Sequence, residues 1–200
     1  MVLRKLLVTG FSFFAAATLA GPAAHAQASR LLPATLHNQE MAPAEPPAQK
    51  PLLSPPAVAS LTLEGQTLQI KYNSPSMRGR TIFGGLVPYG QVWRTGANPA
   101  TTLITPIPLH IGNVLVPAGT YTLYTLPAQK HWMLIISKQT GQWGTEYHAE
   151  RDLGRVKMDQ DKIDTPQEVM SLSFDHVEKN SAVLHIRWEK TDESVKFTTP

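Results

Sequence analysis

Met170-Ser-Leu-Ser-Phe-Asp-His-Val-Glu-Lys-Asn-Ser-Ala-Val-Leu-His-Ile-Arg-Trp188 contains two alternating runs. Met170, Leu172 and Phe174 fall on one face of the first, and Ser171 and Ser173 on the other. In the second, Ala182, Leu184, Ile186 and Trp188 share a face, while His185 and Arg187 point away. A repeat of two is the side-chain period of a strand with one buried face. A helix would place its apolar residues three and four apart.

The same period recurs outward from this stretch. Trp132 to Ile136 is a continuous apolar run of strand length, which suits a strand buried on both faces. In Thr120 to Leu126, Tyr and Thr alternate with Leu. Leu109-His110-Ile111 and Val114-Leu115-Val116 flank Gly112-Asn113, a turn of residues that tolerate positive φ, and so read as a hairpin. Thr101 to Thr105 is another short strand. Ser60 to Leu63 and Leu68 to Tyr72 form a hairpin around Glu64-Gly65. Beyond Trp188, Val195 and Phe197 predict a last edge strand. Thr145 to Leu153, where Tyr147, Ala149 and Leu153 are loosely periodic, predicts a short helix or irregular loop. About ten short strands with turns between them predict an all-β fold, an antiparallel, jelly-roll-like β-sandwich. A closed barrel is the alternative.

The strands begin only after residue 56. Residues 1–26 have the pattern of a secretory leader. Arg4 and Lys5 precede an apolar run from Leu6 to Ala20, and Ala24-His25-Ala26 is a small-x-small cleavage site. The run is shorter than the ~20 residues of a spanning helix, and Gly21-Pro22 ends it. After cleavage ahead of Gln27 no membrane insertion is expected. Residues 27–56 carry Pro33, Pro43, Pro46, Pro47, Pro51, Pro55 and Pro56 among Ala and Gln, and read as a disordered, partly polyproline-II tether. Residues 57–200 remain as one all-β domain, exported to the periplasm or outside the cell.

Composition excludes several functions. The chain has 200 residues, 42 % of them apolar, enough for a core, and a formal charge of +3. Taking Arg4 and Lys5 from the 18 Lys and Arg leaves 16 against 15 Asp and Glu, a balance of +1. No dense basic run offers a nucleic-acid footprint. Absence of cysteine removes disulfides, thiol catalysis and a lipid-modified cysteine. His110, His131, His148, His176 and His185 are scattered, with no His-x-His pair and no zinc-hydrolase spacing, so neither a metal nor another cofactor is expected.

The long connection between Asn73 and Asn98 is the informative segment. Arg78, Arg80 and Arg94 are interleaved there with Phe83, Tyr89, Trp93 and several glycines. Guanidinium forks match carboxylate or phosphate, and Trp and Tyr offer flat faces for sugars or cations. Arg78, Arg80, Trp93, Arg94 and Asn98, with Trp143, are the candidate ligand-binding residues for an anionic or glycan ligand. In the opposing structural reading, Phe83, Leu86, Val87 and Val92 plug the sandwich, and the arginines bond carboxylates or loop carbonyls. Asn98 precedes Pro99 and is expected to be extended, its amide fixing the loop.

Gly79-Arg-Thr-Ile-Phe-Gly-Gly-Leu-Val-Pro-Tyr-Gly-Gln-Val-Trp-Arg-Thr-Gly-Ala-Asn98, together with Val116-Pro-Ala-Gly-Thr-Tyr-Thr-Leu123, Gln142-Trp-Gly144 and Trp188-Glu-Lys190, closely resembles domain-of-unknown-function family 2911 (DUF2911). The resemblance runs in order over nearly all of Val58 to Thr198. It implies an exported bacterial protein with an all-β domain, and brings no activity, substrate or cofactor.

Catalytic signals are sparse. Gly-x-Ser-x-Gly is absent, and Ser76, Ser137 and Ser171 lack a local base. Glu146, with Glu150 or Asp152 and the aromatic Tyr147, is the one acidic cluster suited to hydrolysis, with Trp143 as a sugar platform. Three functions follow, in order: a binding module, a structural or assembly protein of the cell envelope with an unidentified protein partner, and a hydrolase using Glu146 or His148.

Overall fold

The computed structural model describes residues 52–200, within the compact unit Ala48–Pro200. The leader and the tether as far as residue 51 lie outside the described residues. Ten strands follow one another: β1 (Pro56–Leu63), β2 (Gln66–Asn73), β3 (Thr101–Thr105), β4 (Leu109–Ile111), β5 (Val114–Val116), β6 (Gly119–Leu126), β7 (Met133–Ser137), β8 (Asp152–Lys157), β9 (Asp159–Asp175) and β10 (Ser181–Thr198). They form a six-stranded sheet in the order β1-β2-β3-β6-β7-β8 and a four-stranded sheet in the order β5-β4-β10-β9. Every pairing is antiparallel. Each sheet keeps two edges, so the fold is a sandwich and not a closed barrel. Among the described residues no helix is long and apolar enough to cross a membrane.

The alternation places the core. Leu61, Ile70, Leu103, Leu123, Leu134 and Ile136 of the larger sheet share one buried cluster with Leu109, Ile111, Leu172, Leu184, Ile186 and Phe197 of the smaller. Each such side chain stabilises the fold by roughly 2 kcal/mol through removal from water. The apolar run of β7 is explained by burial on both faces. Leu134 and Ile136 enter the main core, while Ile135 packs outward with Ala100 and Tyr124.

Two elements, the end of β10 and β8, depart from expectation. Val195 and Phe197 are no separate edge strand. They continue β10, and Phe197 lies opposite Ile111 of β4, inside the smaller sheet. Register shifts between Arg187 and Thr191, with Glu189 at φ 56, bend β10 and reverse which parity faces inward. Thr145 to Leu153 holds a single turn of 3-10 helix, Ala149–Arg151, in line with the short helix or loop expected there. The turn feeds β8, which the sequence conceals: Gly154 faces Val114, and Val156 is its one buried apolar residue.

Candidate functional site

The segment from Ser74 to Ala100 crosses one end of the sandwich, pinned along its length. Met77 N donates to Glu168 O at 2.8 Å, and the Glu189 carboxylate accepts from the backbone N–H groups of Ile82 and Phe83 at 3.4 and 3.3 Å. Trp93 exchanges two 2.8 Å backbone bonds with Thr125, as a one-residue extension of the larger sheet. Thr101 Oγ1 donates to Thr95 O at 2.8 Å, which fixes the next turn. Phe83 and Trp93 then complete an aromatic cluster. Phe83 meets Trp132 edge-on at 4.6 Å, and Trp93 stacks on Trp188 at 5.9 Å with 19° between the rings. The plug reading therefore holds for Phe83 and Val87, which are buried, and in part for Val92, which is partly buried against Tyr124 and Ile135, but not for Leu86, which is 48 % exposed; Ile82 and Trp93 are buried with them.

The three loop arginines separate by chemistry. Arg78 is exposed and its Nη2 donates to Leu53 O at 2.6 Å. Arg80 is also exposed, and gives Nε to Met77 O at 2.9 Å and Nη2 to Ser76 O at 2.8 Å. Both act as loop braces. Arg94 is half-buried, and its Nε is enclosed with no hydrogen-bond partner. No carboxylate stands within ion-pair distance of it among the described residues, and burial alone pulls its pKa below the ordinary guanidinium value.

Gly144 makes Arg94's position possible. A Cβ there would lie 1.9 Å from Arg94 Cδ and 2.6 Å from Asn98 O, so the arginine stem runs over bare backbone. Gly144 N donates to Asn98 O at 3.1 Å. Gln142 holds the other side, its Nε2 donating to Thr122 Oγ1 and Tyr124 Oη at 3.1 and 2.9 Å. Asn98 corrects an expectation. Its φ is 60°, a left-handed value that asparagine tolerates better than most residues. Its carbonyl, not its amide, secures the turn.

A cavity of about 410 Å³ opens between this loop, residues 52–54 and the middle of β10 at Trp188. Arg80, Trp93, Arg94 and Asn98 line it, whereas Arg78 and Trp143 do not. Trp143 is 52 % exposed, and its backbone bridges to Pro99. The sequence did not single out Trp188, Asn73 or Leu52 and Leu53, which also line the cavity. Trp188 had a signal, as the last inward residue of its alternating run, with Glu189 clasping the loop beside it.

Glu146 and His148 stand elsewhere, both exposed. His148 Nδ1 lies 3.3 Å from Glu150, itself in open solvent. Of the acids near them, Asp152 is committed: its Oδ2 accepts from Tyr147 Oη at 2.8 Å and from Arg155 Nε at 2.9 Å. Burial, and then this bond, push the Tyr147 phenol up to about 12. Among the described residues no group of three His, Asp or Glu converges to hold a metal ion.

A family model described as Protein of unknown function (DUF2911) matches residues 54–197, and the chain belongs to that family. No curated protein and no solved structure matches it.

Proposed function

We propose that this member of the DUF2911 family is a binding module that takes a small anion on Arg94. The observation that carries the reading is the unspent guanidinium fork. A half-buried cation loses hydration and is ordinarily repaid by a carboxylate or by carbonyls. Arg78 and Arg80 take carbonyls. Arg94, lining a cavity beside buried indoles, takes neither among the described residues. An anion supplies the missing partner through charge-assisted, planar hydrogen bonds, and the cavity has the size of small-molecule sites. The glycan alternative has weaker support, because the ring of Trp93 is occupied by Trp188, Phe83 and Trp132.

The proposal includes export. Arg4-Lys5, the apolar Leu6 to Ala20 and Ala24-His25-Ala26 are the parts of a cleaved leader. N-terminal sequencing of the secreted protein is expected to read from Gln27, and a start at Met1 overturns this part.

Arg94→Met tests the site, since methionine keeps the stem over Gly144 and removes the charge. Without ligand the variant is expected to melt at the same temperature or a few degrees higher, because an unpaired cation has gone. The upward shift given to the wild type by acetate, phosphate or sulfate is expected to vanish. A variant that melts well below the wild type, together with a wild type that no anion shifts, would show Arg94 to be structural.

A further inference from the structure

Arg94 accounts for one wall of the cavity, and most of the others are apolar. Leu53, Leu86, Val87 and the indoles of Trp93 and Trp188 line it. Two of the polar side chains nearby are already engaged, and the Asn98 amide and Ser54 hydroxyl remain at the rim. Asn73 Nδ2 donates to Ser54 O at 3.0 Å, and the Arg80 fork is bound to the carbonyls of Ser76 and Met77.

One rim has an unusual construction. Leu52 to Pro55 is clipped along it by its carbonyls alone. Leu53 O accepts from Arg78, Ser54 O from Asn73, and Pro55 O from Ser74 N at 2.9 Å. Its leucine side chains stay mostly in water. Leu52 and Leu53 are 69 % and 64 % exposed, although both line the cavity. Leu86, on the opposite segment, is left in water as well. Three large aliphatic side chains around an apolar mouth gain by closing on hydrocarbon, and they gain nothing from phosphate, sulfate or a sugar.

From this construction we infer that the ligand is an organic monocarboxylate with an aliphatic body, its head on Arg94 and its chain against Val87 and the indoles, with Leu52 and Leu53 closing over the tail. Arg94 is the lining cation with donors unspent, since Arg80 is bound to the carbonyls of Ser76 and Met77, and its planar fork matches one carboxylate. A phosphate would set strongly hydrated oxygens against apolar walls. The inference rests on the anion site proposed above and names its ligand class.

The test is titration of the full chain with acetate, hexanoate, 1-hexanol and inorganic phosphate, followed by the indole N–H resonances of Trp93 and Trp188. Hexanoate is expected to bind about tenfold or more tighter than acetate, from partial burial of four added methylenes. Hexanol, without the charge, is expected to bind at least about tenfold more weakly than hexanoate. Leu52→Ser with Leu53→Ser, both at exposed positions, is expected to erase the advantage of hexanoate and to leave acetate within about twofold. If acetate or phosphate binds as tightly as hexanoate, the aliphatic body is refuted while the anion site stands. If the double variant keeps the full preference, the closing strap is refuted. If none of the three anions moves either indole, or hexanol equals hexanoate, the anion site itself has failed and the inference falls with it.

Discussion

Glu193 is a carboxyl buried in the core. It shares the inward parity of Val195 and Phe197, is 0 % exposed, and neither carboxylate oxygen has a hydrogen bond of good geometry, Gln160 being only a marginal donor. Burial pushes its carboxyl up to about 8. Gln160, opposite it in the ladder, pulls the other way, and Asp192, Asp159 and Asp161 add to the rise. The group is therefore protonated in the folded state where the unfolded chain ionises it. Its contribution is intact below about pH 4.5 and is lost as pH rises toward about 8. Urea unfolding at pH 5 and pH 8 should show a fall in stability on the order of a few kcal/mol, and Glu193→Gln should flatten it. A variant with the wild-type slope would place the titration elsewhere. Gly144→Ala belongs to the same scale. The added methyl meets Arg94 Cδ at 1.9 Å and the backbone oxygen of Asn98 at 2.6 Å. The side chain can yield and the backbone cannot, so a loss of about 1–3 kcal/mol in thermal or urea unfolding is expected, with anion binding weakened as Arg94 is displaced.

Among the elements, β10 carries the longest chain of consequences. Its bend brings His185 and Asp192 together on the outer face. His185 Nδ1 donates to Asp192 Oδ1 at 2.8 Å, while Arg187 gives Nε to Asp192 Oδ2 at 2.8 Å and Nη2 to Asp175 Oδ2 at 2.8 Å. Asp192 is only 7 % exposed, so Asp192→Ala strands the buried His185 and leaves Arg187 with Asp175 and Ser173 alone. A cost on the order of 3 kcal/mol is expected, as a lower urea midpoint with an unchanged slope. The alternation that gave away β10 as a strand could not show this bend. A bulge reverses parity, and the apolar tail then reads as a strand of its own. The same limit hid β8 and the first half of β9. The first half of β9 is wet on both faces and has no apolar repeat, and β8 buries Val156 alone while Gly154 packs on Val114 without a side chain. The arginine-rich loop was legible as a segment through its residue types. Which arginine stays free was not, because that depends on distant partners: Leu53 for Arg78, Gly144 beneath Arg94, and Glu168 and Glu189 holding the loop in place.

At the scale of the molecule, the loop behaves as part of the core. Phe83 and Trp93 belong to the same buried cluster as Leu123 of the larger sheet and Leu184 of the smaller. Trp132, just before β7, and Trp188, on β10, each pack against both Phe83 and Trp93. A sandwich closed at one end this way cannot release the loop without opening the aromatic cluster, and cannot open the cluster without exposing both sheets. Loop and sheets should therefore unfold together. Trp143 is the exposed indole and is set apart from the other three, so Trp143→Phe leaves fluorescence reporting on the cluster alone. In that variant, urea midpoints from tryptophan emission and from far-ultraviolet circular dichroism are expected to coincide as one transition. An emission midpoint clearly below that of the dichroism would mean that the loop lies on the sandwich as a separate layer. Arg94 would then sit on a movable cover, and the preformed cavity on which its ligand depends would be lost before the sheets are.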